Sequence, residues 1–505
     1  MTKRSQPKKS VSQKSKQQFW GDRLKEAPEM RNIAYCAGRD VAIRPMADAV
    51  LAPFDCWQNR VHSAMLAQQK IISTATAVKI RKAVTEFEER LASGKLTLNP
   101  AKEDSHTNIE HFVAETAGAA VSGPMHTARS RNDQTATVTR MFVRDRLLRF
   151  GADVADLIDV LADTAAKYTK VPLAGYTHYQ PGSITTVGHW FGSYVQALTR
   201  DLERIWASCD RLNVSPLGAA AAFGSSWPID REFTARNLGF RDVQANTLDC
   251  ITNRWEMEAD AASAVAFTMT HLSIIAQDLV ILSVPDTGIV EIADRYVTGS
   301  SIMPQKRNPD FAEVTRAKSA VVQSQLSALF GIARGLFSGY NRDTQWTKYL
   351  IIDLLDEAAD APAIFAGVFK TLTVNEERAE QSAQRNFVNA VDVADMLAQE
   401  SGLPFRTTYE IASKAVKLSE SKGYIDSAVV NQLAREAGAK SVKLDVDNPH
   451  KIAARKTHTG GTAPEAVRKN LASLKKQAAV VRKSMEALLT HLEKCRANSI
   501  TGKWI

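Results

Sequence analysis

The sequence predicts an all-α protein, and three observations carry that prediction. Long central stretches space their apolar residues three and four apart, alternating β-branched runs are nearly absent, and heptad-like spacing recurs on several predicted helices. Val143, Leu147, Phe150, Val154, Leu157 and Leu161 draw one apolar stripe down a helix of several turns. Phe191, Val195, Leu198, Leu202 and Ile205 repeat it between Pro181 and Pro216. Met269, Leu272, Ile275, Leu279 and Leu282 give a third stripe that stops at Pro285. Too little strand-like sequence remains for an α/β sheet with a phosphate-binding glycine loop. The spacing predicts a central long-helix bundle, with a core shared between subunits as well as within one.

A chain of 505 residues exceeds one compact core, so two or three domains are expected. Residues 1–18 are rich in Ser, Gln and Lys with almost no apolar residue, the composition of a disordered tail. Lys3, Arg4, Lys8, Lys9, Lys14 and Lys16 supply six of the net +9 charges and leave +3 for the rest, which points away from a nucleic-acid partner. A nucleic-acid arm and a transit peptide are the alternatives for this tail. Residues 19–129 are expected to form an N-terminal helical domain, 130–374 the helical bundle, and 375–505 a small domain of shorter helices. No run of about 18 uncharged apolar residues occurs and no apolar secretory segment opens the chain, so no membrane partner and a cytoplasmic location are expected. Cys36, Cys56, Cys209, Cys250 and Cys495 are odd in number and far apart, which predicts reduced packing residues. The ten histidines are scattered and give no ligand spacing, so neither a metal nor another cofactor is expected.

Four segments break the helix pattern with Gly, Ser, Thr and Pro: His126 to Gln134, Gly175 to Thr186, Pro216 to Ser226, and Thr298 to Pro309. Loops that interrupt a rigid bundle are where chemistry sits. The strongest signal is Gly299-Ser300-Ser301-Ile302-Met303-Pro304-Gln305-Lys306-Arg307-Asn308-Pro309, which joins paired hydroxyls, a Met-Pro stiffener, and a Lys and an Asn two apart. This segment resembles the signature loop of the aspartase/fumarase superfamily, whose members eliminate fumarate or a close relative from a succinyl compound. His126-Thr127-Ala128-Arg129-Ser130-Arg131-Asn132-Asp133-Gln134 is similar to the H-T-G-R-S-R-N-D-Q stretch of argininosuccinate lyases. Glu103-Asp104 with His106-Thr107, Gly175-Tyr176-Thr177-His178, Pro216-Leu217-Gly218-Ala219 and Gly460-Gly461-Thr462-Ala463-Pro464 extend the resemblance from about Trp20 to the C-terminus.

The resemblance implies a three-domain helical subunit and a homotetramer whose long helices join in one bundle. It also implies active sites for a small-molecule substrate, each built from loops of three subunits. By the same resemblance Ser300 is the base that takes a proton from the carbon beside a carboxylate. Lys306 and Asn308 stabilise the dianion that results, and Ser301 and Met303 contribute further contacts from the same loop. Thr177 and His178 serve the leaving nitrogen or the succinyl end, with Glu313 orienting the histidine. Ser130, Arg131 and Asn132 match a succinate clamp near a helix N-terminus. Tyr340, Gln345 and Lys348 match residues that hold the amino-acid end of the leaving group, and Asp48 matches an acidic position before them.

The sequence departs from the argininosuccinate lyase pattern at four places. Trp346-Thr347 stands for Glu-Asp, Trp255 for an Asp after Arg254, Arg44 for a Ser four residues before Asp48, and Ala128 for a Gly. Carboxylates are lost and a guanidinium is gained, which favours a product carrying extra carboxylates over a cationic guanidino product. The expected reaction is reversible β-elimination of fumarate from an aminopolycarboxylate such as ethylenediamine-N,N'-disuccinate, with argininosuccinate as the alternative substrate. An inactive, crystallin-like structural protein is the reading from another class. Retention of Ser300, Lys306, Asn308, Thr177 and His178 speaks against it.

Overall fold

The computed structural model describes Glu29, Arg31, Asn32, Tyr35 and residues 47–439 and 443–505; the basic tail, Cys36 and Arg44 lie outside the described residues. The chain is mostly helical, and every residue of the three apolar stripes is buried. Helices α1 (Ala47–Gln68), α2 (Thr74–Ala92) and α3 (Ser105–Ala117) come first. Phe87, Ile109, Phe112 and Val113 join Cys56 in a local core there. Ser73 caps α2 by accepting from the Thr76 amide at 3.0 Å, and Asp104 caps α3 by accepting from Thr107 at 2.7 Å.

The first stripe lies on α4 (Arg131–Lys167), whose N-terminus carries a capping box made by Ser130 and Asp133. A hairpin, β1 (Pro172–Thr177) paired antiparallel with β2 (Gln180–Thr186), leads into α5 (Val187–Leu212), which bears the second stripe. Gly188 opens α5 where it meets the end of α4. A Cβ there would fall 2.5 Å from the Ala165 carbonyl oxygen and 2.6 Å from the Thr169 Cα, a contact with backbone that cannot move aside. The third stripe lies on α6 (Arg254–Ser283), followed by α7 (Asp310–Ala333), α8 (Gln345–Ala358) and α9 (Ala361–Thr371). Helix α4 packs on α5 and α9, and α6 packs on α5 and α7, around one continuous core.

Helix α6 is long and apolar enough, on length and composition alone, to cross a membrane. Its stripe face is buried, whereas Phe267 is 46% and Ile274 54% exposed; Phe330 on the neighbouring α7 is 53% exposed. Apolar side chains on a second face of a helix call for cover there too, and one chain leaves these uncovered.

Helices α10 (Ala390–Ser401), α11 (Phe405–Leu418) and α12 (Ser427–Glu436) enclose a separate small core of Val393, Leu397, Ile411, Ala415, Ile425 and Val430. Ala174 and Ile184 of the hairpin belong to this core. Helix α13 (Pro464–Thr501) leaves that body and lays Val467, Leu471, Leu474, Met485 and Leu492 into the main core against α4 and α5. The expected small domain over 375–505 therefore differs from the packing, in which the compact body stops near Arg455. Gly175 to Thr186, expected as a loop, is the hairpin. Cys56, Cys209, Cys250 and Cys495 are buried free thiols.

Candidate active site

A cleft of about 730 Å³ opens at the N-terminus of α4 and gathers Asp48, Arg131, Asn132, Tyr340, Gln345 and Lys348. Ser130 is the N-cap beside it: its Oγ accepts from the Asn132 amide at 3.3 Å while Asp133 accepts from the Ser130 amide at 2.9 Å. The other oxygen of Asp133 accepts from the Gly218 and Ala220 amides, both at 2.9 Å, and ties the loop after Pro216 to the same helix end. Burial, opposed by those amide bonds, pushes the Asp133 carboxyl up to about 6. The positive end of a 37-residue helix thus lies at the cleft wall, where an anion is favoured. Lys348 Nζ sits 2.6 Å from Asp48, both largely buried. Arg131 meets Glu103 at 3.0 Å and Asp104 at 3.5 Å, and donates to Thr107 at 2.9 Å.

His106 also lines the cleft, with Nδ1 2.6 Å from the buried Asp55. Burial alone would lower its pKa; Asp55, then Asp104 and Asp48, outweigh burial and raise it above the ordinary 6.5. A histidine pKa raised by folding adds stability that is complete below the unfolded value and lost as pH rises through the folded one. The Tm gap between the parent protein and His106→Asn is expected to be widest below about pH 6.5 and to close at higher pH. Thermal melts from about pH 5 to about pH 9 check this.

The signature loop stands elsewhere on the chain. Thr298 and Asn308 close it by exchanging backbone bonds at 2.9 and 2.8 Å. Arg307 stakes it down, reaching the Ile292 carbonyl at 2.6 Å and Asp294 at 2.8 Å. Inside the loop, Ser300 Oγ accepts from the Met303 amide at 3.1 Å and the Ile302 amide at 3.4 Å. Donors turned toward that oxygen favour its deprotonated form. Lys306, Asn308 and Glu313 line a groove of about 770 Å³ beside the loop, and Ser301 and Met303 are exposed.

Thr177 and His178 form a third group, at the exposed tip of the hairpin. His178 and Tyr179 both take left-handed backbone angles, with φ of 55° and 59°. Two-residue hairpin turns need this conformation and usually place Asn or Gly there; L side chains carry roughly 1–2 kcal/mol of strain per residue. Within one chain no hydrogen bond or ion pair joins His178 to Glu313, which lines the groove of the signature loop. The expected orientation of the histidine by that acid is thus not made inside a single chain.

The small C-terminal body holds the base of this hairpin. Lys456 Nζ donates to the Ile184 carbonyl at 2.8 Å and to Ser183 Oγ at 3.1 Å, and pairs with Asp392 at 3.0 Å. The Ala174 amide donates to Ser382 Oγ at 3.1 Å. Lys456→Met is expected to loosen the strands and lower kcat by up to about a hundredfold with little change in KM, because misplacement of about 1 Å at a reacting group has that effect. Lys456→Arg is expected to restore most of the loss. Steady-state kinetics together with amide exchange over 172–186 check both.

The sequence reading missed Arg254, Arg342, Tyr349, Thr135 and His106 as lining residues of the cleft. Their only signal was position: Arg254 stands beside Trp255, Arg342 and Tyr349 flank the Gln345 to Lys348 run, and His106 sits in a matched segment. Among the described residues, the departures themselves do not line the cleft. Trp346 is 63% exposed and meets Tyr349 edge-on, Thr347 is buried with its hydroxyl donating to the Thr344 carbonyl at 2.8 Å, and Trp255 packs on Phe330. None of the three faces the cleft within the chain, so the carboxylates expected to be lost there do not set the charge of the cleft. Ala128 has a φ of 60°, so its Gly counterpart answers to backbone geometry and not to a ligand. Arg129 is buried and donates to Asn59 and to the Met125 carbonyl, both at 2.8 Å, so of the two arginines Arg131 is the one that lines the cleft.

A lyase family profile matches residues 40–324, and an argininosuccinate lyase C-terminal profile matches residues 387–446. Among solved structures, EDDS lyase in complex with formate superposes with a TM-score of 0.83 at 25% identity, covering 95% of this chain and 97% of its own. A variant of EDDS lyase with bound fumarate gives a TM-score of 0.82 at 24% identity over 95% and 97% of the two chains. A fumarate lyase from Mesorhizobium sp. BNC1 gives 0.68 at 18% identity over 83% and 95%. The last two bear on fold alone.

Proposed function

From the premise that this chain belongs to the lyase family, in its argininosuccinate lyase branch, we propose that it releases fumarate from an N-substituted aspartate whose amine carries further carboxylates. Fumarate-releasing carbon-nitrogen lysis is the activity of the chain; ethylenediamine-N,N'-disuccinate is the reference substrate of the proposal. Likeness to EDDS lyase at 25% identity over 95% of this chain supports that choice. In the proposed step Ser300 takes the proton from the carbon beside the carboxylate. The electron pair left there forms the double bond as the C–N bond breaks, and the nitrogen departs with a proton from the His178 side. Lys306 and Asn308 hold the carboxylate on which charge builds. The observation that carries this reading is the Ser300 oxygen held by two amides of its own loop.

Three groups of residues stand on separate parts of one chain, so a complete site needs several copies. We infer a homotetramer in which one subunit gives the cleft at α4, a second the hairpin tip and a third the signature loop. The exposed apolar side of α6 and α7 supports a shared bundle as the means of assembly.

Fumarate absorbance in the ultraviolet, with argininosuccinate in one cuvette and ethylenediamine-N,N'-disuccinate in another, tests the substrate. Release from the second alone is expected. Release from the first alone would overturn the aminopolycarboxylate reading in favour of argininosuccinate, which the C-terminal profile over residues 387–446 favours.

A further inference from the structure

We propose that Arg254 anchors a carboxylate on the departing amine, so that the cleft accepts amines bearing a carboxylate and not amines in general. The inference rests on the lyase reading above and names the substrate class of the same site. Arg254 opens α6, is 4% exposed, and lines the cleft beside Tyr340, its guanidinium carbon 5.9 Å from the ring centre. Nη2 donates to the Thr344 carbonyl at 2.8 Å, Nε has no acceptor, and among the described residues no carboxylate makes an ion pair with it. A buried charge is ordinarily paired. A planar fork with donors to spare at a cleft wall is what a carboxylate fills.

The charges of the cleft point the same way. Four cations line it: Arg131, Arg254, Arg342 and Lys348. Lys348 is matched by Asp48, and Arg131 by Glu103 and Asp104. Arg342 has no such match among the described residues, Arg254 makes no ion pair and of the carboxylates has only the buried Glu258 acting on it electrostatically, and both arginines lie near Tyr340 and Gln345. Glu258, one turn further along α6, is itself buried, and burial raises its pKa against the opposing charge of Arg254. The four cations that line the cleft outnumber its three lining carboxylates, Asp48, Glu103 and Asp104, which leaves its wall positive. An uncharged or purely cationic amine has nothing to offer it, whereas an amine with a carboxylate replaces the bonds its carboxylate made to water.

The competing role for Arg254 is that of a peg, which holds the Thr344 carbonyl and so the turn before α8. A peg predicts equal loss for every amine. The two are separated by running the reaction toward addition, with fumarate and either of two amines matched in length, 3-aminopropanoate and propylamine. The unmodified protein is expected to use 3-aminopropanoate at least about tenfold better in kcat/KM, the scale of a charge-assisted bond. Arg254→Gln is expected to bring that ratio close to one by losing only the carboxylate-bearing amine, and Arg254→Lys to retain part of the preference. An unchanged ratio in the Gln variant overturns the proposal. So does a ratio near one in the unmodified protein, a measurement that stands even if the Gln variant fails to fold. Failure of the lyase reading looks different: no amine reacts, and no N-substituted aspartate yields fumarate.

Discussion

Replacing Ser300 by alanine is expected to cut fumarate release by on the order of 10²- to 10⁴-fold, the scale of a lost general base, while leaving the assembly intact. The loop does not depend on the hydroxyl. Its closure is made by backbone bonds between Thr298 and Asn308, and its stake is Arg307 on Ile292 and Asp294. What Ala removes is the acceptor that the Ile302 and Met303 amides hold. Ile302 and Met303 are exposed, so water takes the place of that acceptor and stability moves by no more than about 0.5 kcal/mol. The loss should fall on kcat and leave KM nearly unchanged, because proton transfer belongs to the transition state and not to binding. Ultraviolet kinetics and size-exclusion chromatography on the same preparation measure both halves, and normal turnover in the folded variant would assign the base elsewhere.

Mixing two inactive variants is expected to restore activity. Ser300→Ala and His178→Asn remove residues that stand on separate parts of one chain, the signature loop and the hairpin tip. In a mixed assembly some sites draw Ser300 from the His178→Asn chains and His178 from the Ser300→Ala chains. Those sites are whole. Dissociating and reassociating the pair should lift turnover on the order of a hundredfold above either parent, since each parent lacks a group worth about that much. Co-refolding each variant with itself supplies the control. If the mixture stays as inactive as its parents, each chain builds its own sites and the division among subunits is wrong.

The helical core was legible because its signal is periodic. Val143 to Leu161, Phe191 to Ile205 and Met269 to Leu282 each repeat at the helix spacing, and all of the residues named on them are buried. The hairpin was not legible, since Gly175, Tyr176, Thr177, Gln180 and Pro181 do not alternate in polarity and its fixing contacts come from Lys456 and Ser382, far away in the chain. Helix α13 was missed although Val467, Leu471, Leu474 and Ala478 keep a helical spacing. Its many lysines and arginines dilute that stripe, yet its apolar edge closes the main core. In the site, the motifs yielded residue types and no places. Family resemblance put Glu313 beside His178, and within one chain no hydrogen bond or ion pair joins them. Arg254 and His106 acquire meaning only from what surrounds them: a missing acceptor in one case, three nearby carboxylates in the other.

The uncovered side of α6 also bears on the protein's life before it becomes an enzyme. A newly made chain that has finished folding on its own still carries Phe267, Ile274 and Phe330 in water. If the proposed tetramer is the working form, its next productive event is a collision with a sister chain, whose rate rises with the number of chains present, and its next unproductive one is adhesion to whatever apolar surface arrives first. Refolding from denaturant should therefore recover activity with a concentration optimum, with idle soluble chains at high dilution and aggregate when crowded. The quantity of chain in a compartment then sets how much of it works.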